Sequence, residues 1–159
     1  MTSTHGAPRR RSRQIALQVL YAMDLARTTR HPTTPSCEDS FAAFIENFEL
    51  PEGACGFARE LVDRITDALP EIDALLEAHT TNWRLSRMAA VDRNILRMGV
   101  YELLRTDTPT QIVLDEAIEL AHRFGDDPSP AFVNGVLDAV AGATRRREAA
   151  PAAESEGPR

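Results

Sequence analysis

Apolar positions in this chain recur every three or four residues, and no segment alternates as a half-buried strand would. Ile15, Val19, Ala22 and Ala26 trace one face of a first helix, predicted from near Arg9 to near Thr28. The stretch TTRHPTTPS breaks it. Ser36 followed by Asp39 has the form of a helix start, and Phe41, Phe44, Ile45 and Phe48 continue at helical spacing. After LPEG, a long helix carries Phe57, Leu61, Val62, Ile65 and Leu69, and Pro70 opens the next with Ile72, Leu75 and Leu76. NWRLSRMAAVDRNILRMGVYELL divides into a short helix and a longer one that buries Val91, Ile95, Leu96, Val100 and Leu103.

Boundary signals complete the pattern. Thr108-Pro109-Thr110-Gln111 reads as a capping box, with Thr108 the cap, Pro109 at the first helical position and Gln111 reaching back. That helix is expected to end at Phe124-Gly125, glycine taking the left-handed conformation. Ser129-Pro130 starts a last helix through Val140. Its FVNGVL contains Asn-Gly, a hairpin signal, but Phe132, Val133, Val136, Leu137 and Val140 keep the helical period. Gly135 inside a helix costs about 1 kcal/mol relative to alanine, so close approach of a neighbouring helix is its expected reason. The fold class is all-α.

Composition adds bounds. The 159 residues suit one domain, 9–144, between tails at 1–8 and 145–159 that are polar or rich in Pro, Ala and Glu and are expected to be disordered. No apolar run reaches a membrane span or resembles a signal peptide, which predicts a cytoplasmic protein without membrane contact. Cys37 and Cys55 form no CxxC and read as small apolar residues. The net charge of −6 is segregated: residues 1–30 carry +5, and residues 31–80 carry −9. Local asymmetry permits a polyanion partner that overall acidity would disfavour.

Catalytic chemistry is missing from the pattern. His5, His31, His79 and His122 are scattered without metal-ligand spacing, so neither a metal nor a cofactor is expected. The glycines form no phosphate loop, and Asp126-Asp127 lacks the alternating ligands of a calcium loop. Asp92 and Glu102 read as a solvated helix face. A binding protein, not an enzyme, is expected.

RRRSRQIALQVLYAMDLA, residues 9–26, sets Arg9, Arg10, Arg11 and Arg13 at a helix amino end, where the backbone dipole repels positive charge. At 100° per residue, Arg10, Arg13, Gln14 and Tyr21 share one sector, about 16 Å long. Guanidinium groups grip phosphate in a planar fork, tyrosine stacks on an unpaired base, and glutamine reads base edges. Phosphates would relieve the arginine repulsion, so replacing Arg10 and Arg13 with alanine is expected to leave the helix at least as stable while weakening nucleic-acid binding.

Three ordered blocks resemble the NusB family of bacterial transcription antitermination factors over nearly all of residues 9–142. They are RRRSRQIALQVLYAMDL, DRNILRMGVYELL and PTQIVLDEAIELAHRFGDDPSPAFVNGVLDAV. The resemblance implies a bundle of about seven helices in two subdomains that binds the single-stranded boxA element of nascent ribosomal RNA. It implies partnership with the ribosomal protein NusE, and loading onto RNA polymerase with other Nus factors.

By that resemblance Arg10, Arg13, Gln14 and Tyr21 match the RNA-facing side of the first helix, and Arg9 and Arg11 of the same cluster are expected to bind RNA beside them. Ser129 and Phe132 match the RNA-contacting start of the last helix, and Asp92 an acidic position that pairs with NusE. Core packing for Phe132 and plain capping for Ser129 are the competing readings. Pro128, Pro130 and Ala131 stand where the family often carries polar or charged side chains, and Asp126 and Asp127 add negative charge beside them. Weaker intrinsic RNA affinity, with more help from NusE, is therefore expected. Two alternatives remain: a relative of the N-terminal RNA-binding domain of ribosomal RNA methyltransferases, and a homodimer masking its own arginine helix.

Overall fold

The structure is a computed structural model that describes residues 6–29, 53–80 and 82–149, together with 39, 42 and 43. Among the described residues lie six α-helices and no strand: α1 (Gly6–Thr28), α2 (Ala54–Asp67), α3 (Leu69–His79), α4 (Ala90–Arg105), α5 (Thr110–Phe124) and α6 (Ser129–Ala149). A short 3-10 turn, Leu85–Arg87, precedes α4. Of the helix expected from Ser36 onward, only Asp39, Ala42 and Ala43 are described, and all three are helical; Ser36, Phe41, Phe44, Ile45 and Phe48 lie outside the described residues, as do Cys37, His5 and His31. No helix among the described residues is long and apolar enough to cross a membrane.

Helix α4 is the centre of the bundle, packed by α1, α3, α5 and α6. Every residue from Arg93 to Glu102 is buried. Around it, Ile15 and Val19 of α1, Val62 and Ile65 of α2, Ile72 and Leu76 of α3 and Leu137 of α6 are fully buried. Their spacing is what the sequence shows, and burying such aliphatic side chains contributes roughly 1.5–3 kcal/mol each.

Several local expectations are corrected. The first helix begins at Gly6 and the last continues to Ala149, so each extends beyond the 9–144 domain expected from composition. On α1 the core face turns toward Ala16, Leu20 and Met23, leaving Ala22 exposed and Ala26 half-buried. Leu69 belongs to α3, because the chain breaks at Ala68 ahead of Pro70. The capping box does not form. Helix α5 starts at Thr110 without a side-chain cap, since the Thr106 hydroxyl engages Thr108 and Gln111 donates forward to Asp115.

The glycines divide by reason. Gly125 is extended, with φ −93°, not left-handed. A Cβ there would meet Ser129 Oγ at 2.6 Å and the Ala121 carbonyl at 2.8 Å. Space, not conformation, demands glycine. Gly135 has nothing within 4 Å of an added Cβ; the close helix approach is instead at Gly99, where Leu137 Cδ1 would be 2.7 Å away.

Candidate nucleic-acid interface

Two of the four arginines in the cluster, Arg10 and Arg13, are paired with carboxylates of the protein itself. Arg9 is exposed and lies over the Phe57 ring, 5.7 Å from its centroid. Arg10 donates Nε to Glu116 Oε2 at 3.3 Å and Nη2 to Glu116 Oε1 at 3.0 Å. Arg11 donates to Gln14 Oε1 at 3.1 Å. Arg13 donates Nε and Nη2 to the Glu102 carboxylate, the shortest contact being 2.6 Å. The repulsion that sequence reasoning assigned to phosphate for relief is thus offset by carboxylates of α4 and α5, an aromatic face and an amide.

This arrangement splits the expected RNA sector. Arg9 and Arg10 face solvent and Arg11 is half-buried, whereas Arg13 and Gln14 are buried. Glu102, expected on a solvated face, is 3% exposed because it pairs with Arg13. An arginine stripe on a helix reports its direction but not which helix comes to meet it. Arg10 remains half-exposed, and its pKa is raised above the usual arginine value by the hydrogen bond to Glu116, by that residue's charge and by Glu119. The site therefore keeps a permanent cation there.

Further along α1, Tyr21 is 38% exposed. It borders an open, mainly apolar groove of about 350 Å³ with Leu17, Gln18, Val91 and Phe124. The α4 start links this groove to a second cavity of about 280 Å³, which Met88, Asp92, Ser129 and Phe132 line with Trp83. Trp83 is 60% exposed and meets the half-buried Phe132 edge to face, with centroids 6.1 Å apart. Sequence reasoning passed over Trp83; a large aromatic beside a polar loop is the signal that could have found it.

Ser129 is buried, and its hydroxyl accepts the Asp126 amide at 3.0 Å. It locks the turn into α6, which places Phe132 one turn on. Asp92 is half-buried, and its Oδ1 is buried without a hydrogen-bond partner among the described residues. An unsatisfied buried acceptor is costly, so this carboxylate is a local weak point in the start of α4.

A buried network ties α1, α3 and the 3-10 turn to α4. Asp24 of α1 accepts Nε of Arg93 at 2.8 Å and Nδ2 of Asn94 at 3.0 Å. Arg93 also donates to the Leu85 and Met88 carbonyls, tying the 3-10 turn to the α4 start. Arg97 forks onto Asp73 of α3 at 2.8 and 2.9 Å. Burial by itself pushes the Asp24 carboxyl up, but hydrogen bonds from Arg93 and Asn94 and the charges of Arg93 and Arg97 prevail and hold it low. Sequence reasoning missed this cluster, although Arg93 and Arg97 sit four apart among apolar residues.

Among the described residues no three His, Cys, Asp or Glu side chains converge as a metal site. His79 Nδ1 lies 2.9 Å from the Leu75 carbonyl of its own helix.

Comparison with known proteins agrees with this architecture. The model of the NusB family matches residues 10–142. The transcription antitermination protein NusB of Myxococcus xanthus is 45% identical over 134 residues, covering 84% of this chain and 94% of its own. That of Anaeromyxobacter dehalogenans is 46% identical, covering 84% and 89%. Among solved structures, T. maritima NusB superposes with a TM-score of 0.72 at 34% identity, over 88% of this chain and 96% of its own. A chain from a crystal structure of the antitermination factors NusB and NusE in complex with double-stranded RNA gives 0.72 at 30% identity, over 87% and 98%.

Proposed function

The chain belongs to the NusB family, whose members are transcription antitermination factors and not enzymes, and from that premise we propose that it binds the boxA element of nascent ribosomal RNA together with NusE. Loading onto RNA polymerase with other Nus factors, in the cytoplasm, completes the proposal. The observation that carries it is the pair of solvent-facing guanidiniums, Arg9 and Arg10, at the amino end of α1 in a chain of net charge −6. A concentrated cationic edge on an acidic protein suits a polyanion with a defined path.

The residues divide their work. Arg9, Arg10 and Arg11 supply phosphate grip, and Tyr21 and Phe132 supply stacking for unpaired bases. Arg13, Gln14 and Ser129 act from behind, holding the RNA-facing groups in place. Asp92, half-buried at the start of α4, offers its carboxylate to NusE. The solved complex of a NusB relative with NusE and RNA supports both partners.

Fluorescence-anisotropy titration with a boxA oligoribonucleotide and a scrambled one, with and without NusE, tests this reading. Preference for boxA that NusE strengthens is expected; equal binding of both oligomers under all conditions would overturn it.

A further inference from the structure

Arg10 differs from its neighbours in how it is held. Among the described residues it is the exposed guanidinium at the start of α1 that a carboxylate grips. Its side chain is 53% exposed, whereas that of Glu116 is only 15% exposed. Glu116 takes the Nε edge of the guanidinium through two hydrogen bonds. Arginine has five N–H donors in a rigid plane, so three remain for a ligand. Arg9 meets a ring face, which fixes neither its plane nor its charge.

We infer that Glu116 is a specificity-determining positioning residue, which holds the Arg10 fork at one angle and masks its charge from RNA that does not meet that angle. The inference rests on the RNA-binding reading above. Its physical basis is competition. A phosphate approaching at random must share or displace a carboxylate already in place, and gains little. A strand whose phosphate arrives at the free edge uses an ordered guanidinium without dislodging Glu116, and loses less side-chain entropy in doing so. Glu119 lies near enough to add to the mask at longer range. Glu116 need not touch RNA for this.

The test compares wild type with Glu116→Gln, Arg10→Ala and the double variant, using boxA and scrambled oligoribonucleotides over a salt series. Glu116→Gln is expected to tighten scrambled RNA several-fold and steepen its log–log salt slope by about 0.7, one further phosphate on a single strand. The boxA oligomer should gain less, so discrimination falls. In the Arg10→Ala background the same change should do nothing. Arg10→Lys, which keeps charge but loses the planar fork, should weaken boxA more than scrambled RNA.

Equal gains for both RNAs, or a gain that persists without Arg10, would reduce Glu116 to general electrostatics and overturn the inference; so would unchanged binding. Failure of wild type to bind either RNA would instead remove the RNA-binding reading itself.

Discussion

Arg13 and Glu102, 89 residues apart in sequence, meet as a buried ion pair with Nη2 2.6 Å from Oε1 and side chains 5% and 4% exposed. The pair joins the arginine-rich amino end of α1 to the last turns of α4. With Ser12 donating to the Ala54 carbonyl of α2 at 2.9 Å, it pins the arginine-rich edge to the bundle.

Removing one member of that pair should be expensive. Arg13→Ala leaves the Glu102 carboxylate buried without its partner, a loss of about 3–5 kcal/mol. Arg10→Ala breaks a half-exposed pair and should change stability by less than about 1 kcal/mol. Urea midpoints of the two variants check this, and comparable values would refute the division. The sequence-based expectation that both substitutions are harmless to the helix is thereby revised for Arg13.

Two glycine substitutions should move stability in opposite directions. Gly99→Ala places a methyl 2.7 and 2.8 Å from the Leu137 methyls and 3.3 Å from its Cγ, so the fully buried Leu137 must shift. A loss of about 1–3 kcal/mol is expected. Gly135→Ala meets nothing within 4 Å on an exposed helix face and should gain roughly 0.5–1 kcal/mol. Thermal melting of both variants decides it; a stabilised Gly99→Ala would contradict the close α4–α6 approach.

Acid stability should depend on Asp24. Its carboxyl titrates below the ordinary aspartate value in the folded protein, so the unfolded chain binds that proton at higher pH. The contribution is complete well above the unfolded value of about 3.9 and is lost as pH falls through the lower folded value. Asp24→Asn should be less stable at neutral pH, because Arg93 loses its counter-charge, and should show a flatter acid limb. Denaturation between about pH 7 and pH 3 measures both. Parallel acid limbs in wild type and variant would show that other carboxylates dominate.

The single tryptophan offers a direct reporter of the second cavity. Trp83 contacts Phe132, so a base stacking there should change Trp83 emission on RNA addition. Phe132→Ala should abolish most of that change and weaken binding by about 1–3 kcal/mol. RNA binding of normal strength by Phe132→Ala would remove Phe132 from the interface.

Helix order along the described chain was legible because apolar spacing is a local property. Ile95, Leu96 and Val100 announce a buried helix, and Phe132 through Val140 outweigh the Asn-Gly turn signal among them. The resemblance to the NusB family was legible as well, carried by three ordered blocks that the family model's span contains or borders. Caps were less so. Thr108 and Gln111 have the right chemistry at the right spacing, yet Thr106 and Asp115 compete for the same groups and win.

What the sequence determined by itself was the all-α class, the family and the concentration of positive charge at one helix end, since each is written in residue type and period. Only the tertiary structure decided which of those charges face solvent. Arg10 and Arg13 lie three apart on one helix, but Glu116 meets the first at the surface and Glu102 meets the second in the interior. Burial of a charge depends on what another helix brings to it, and that pairing across 89 and 106 residues leaves no trace in local spacing.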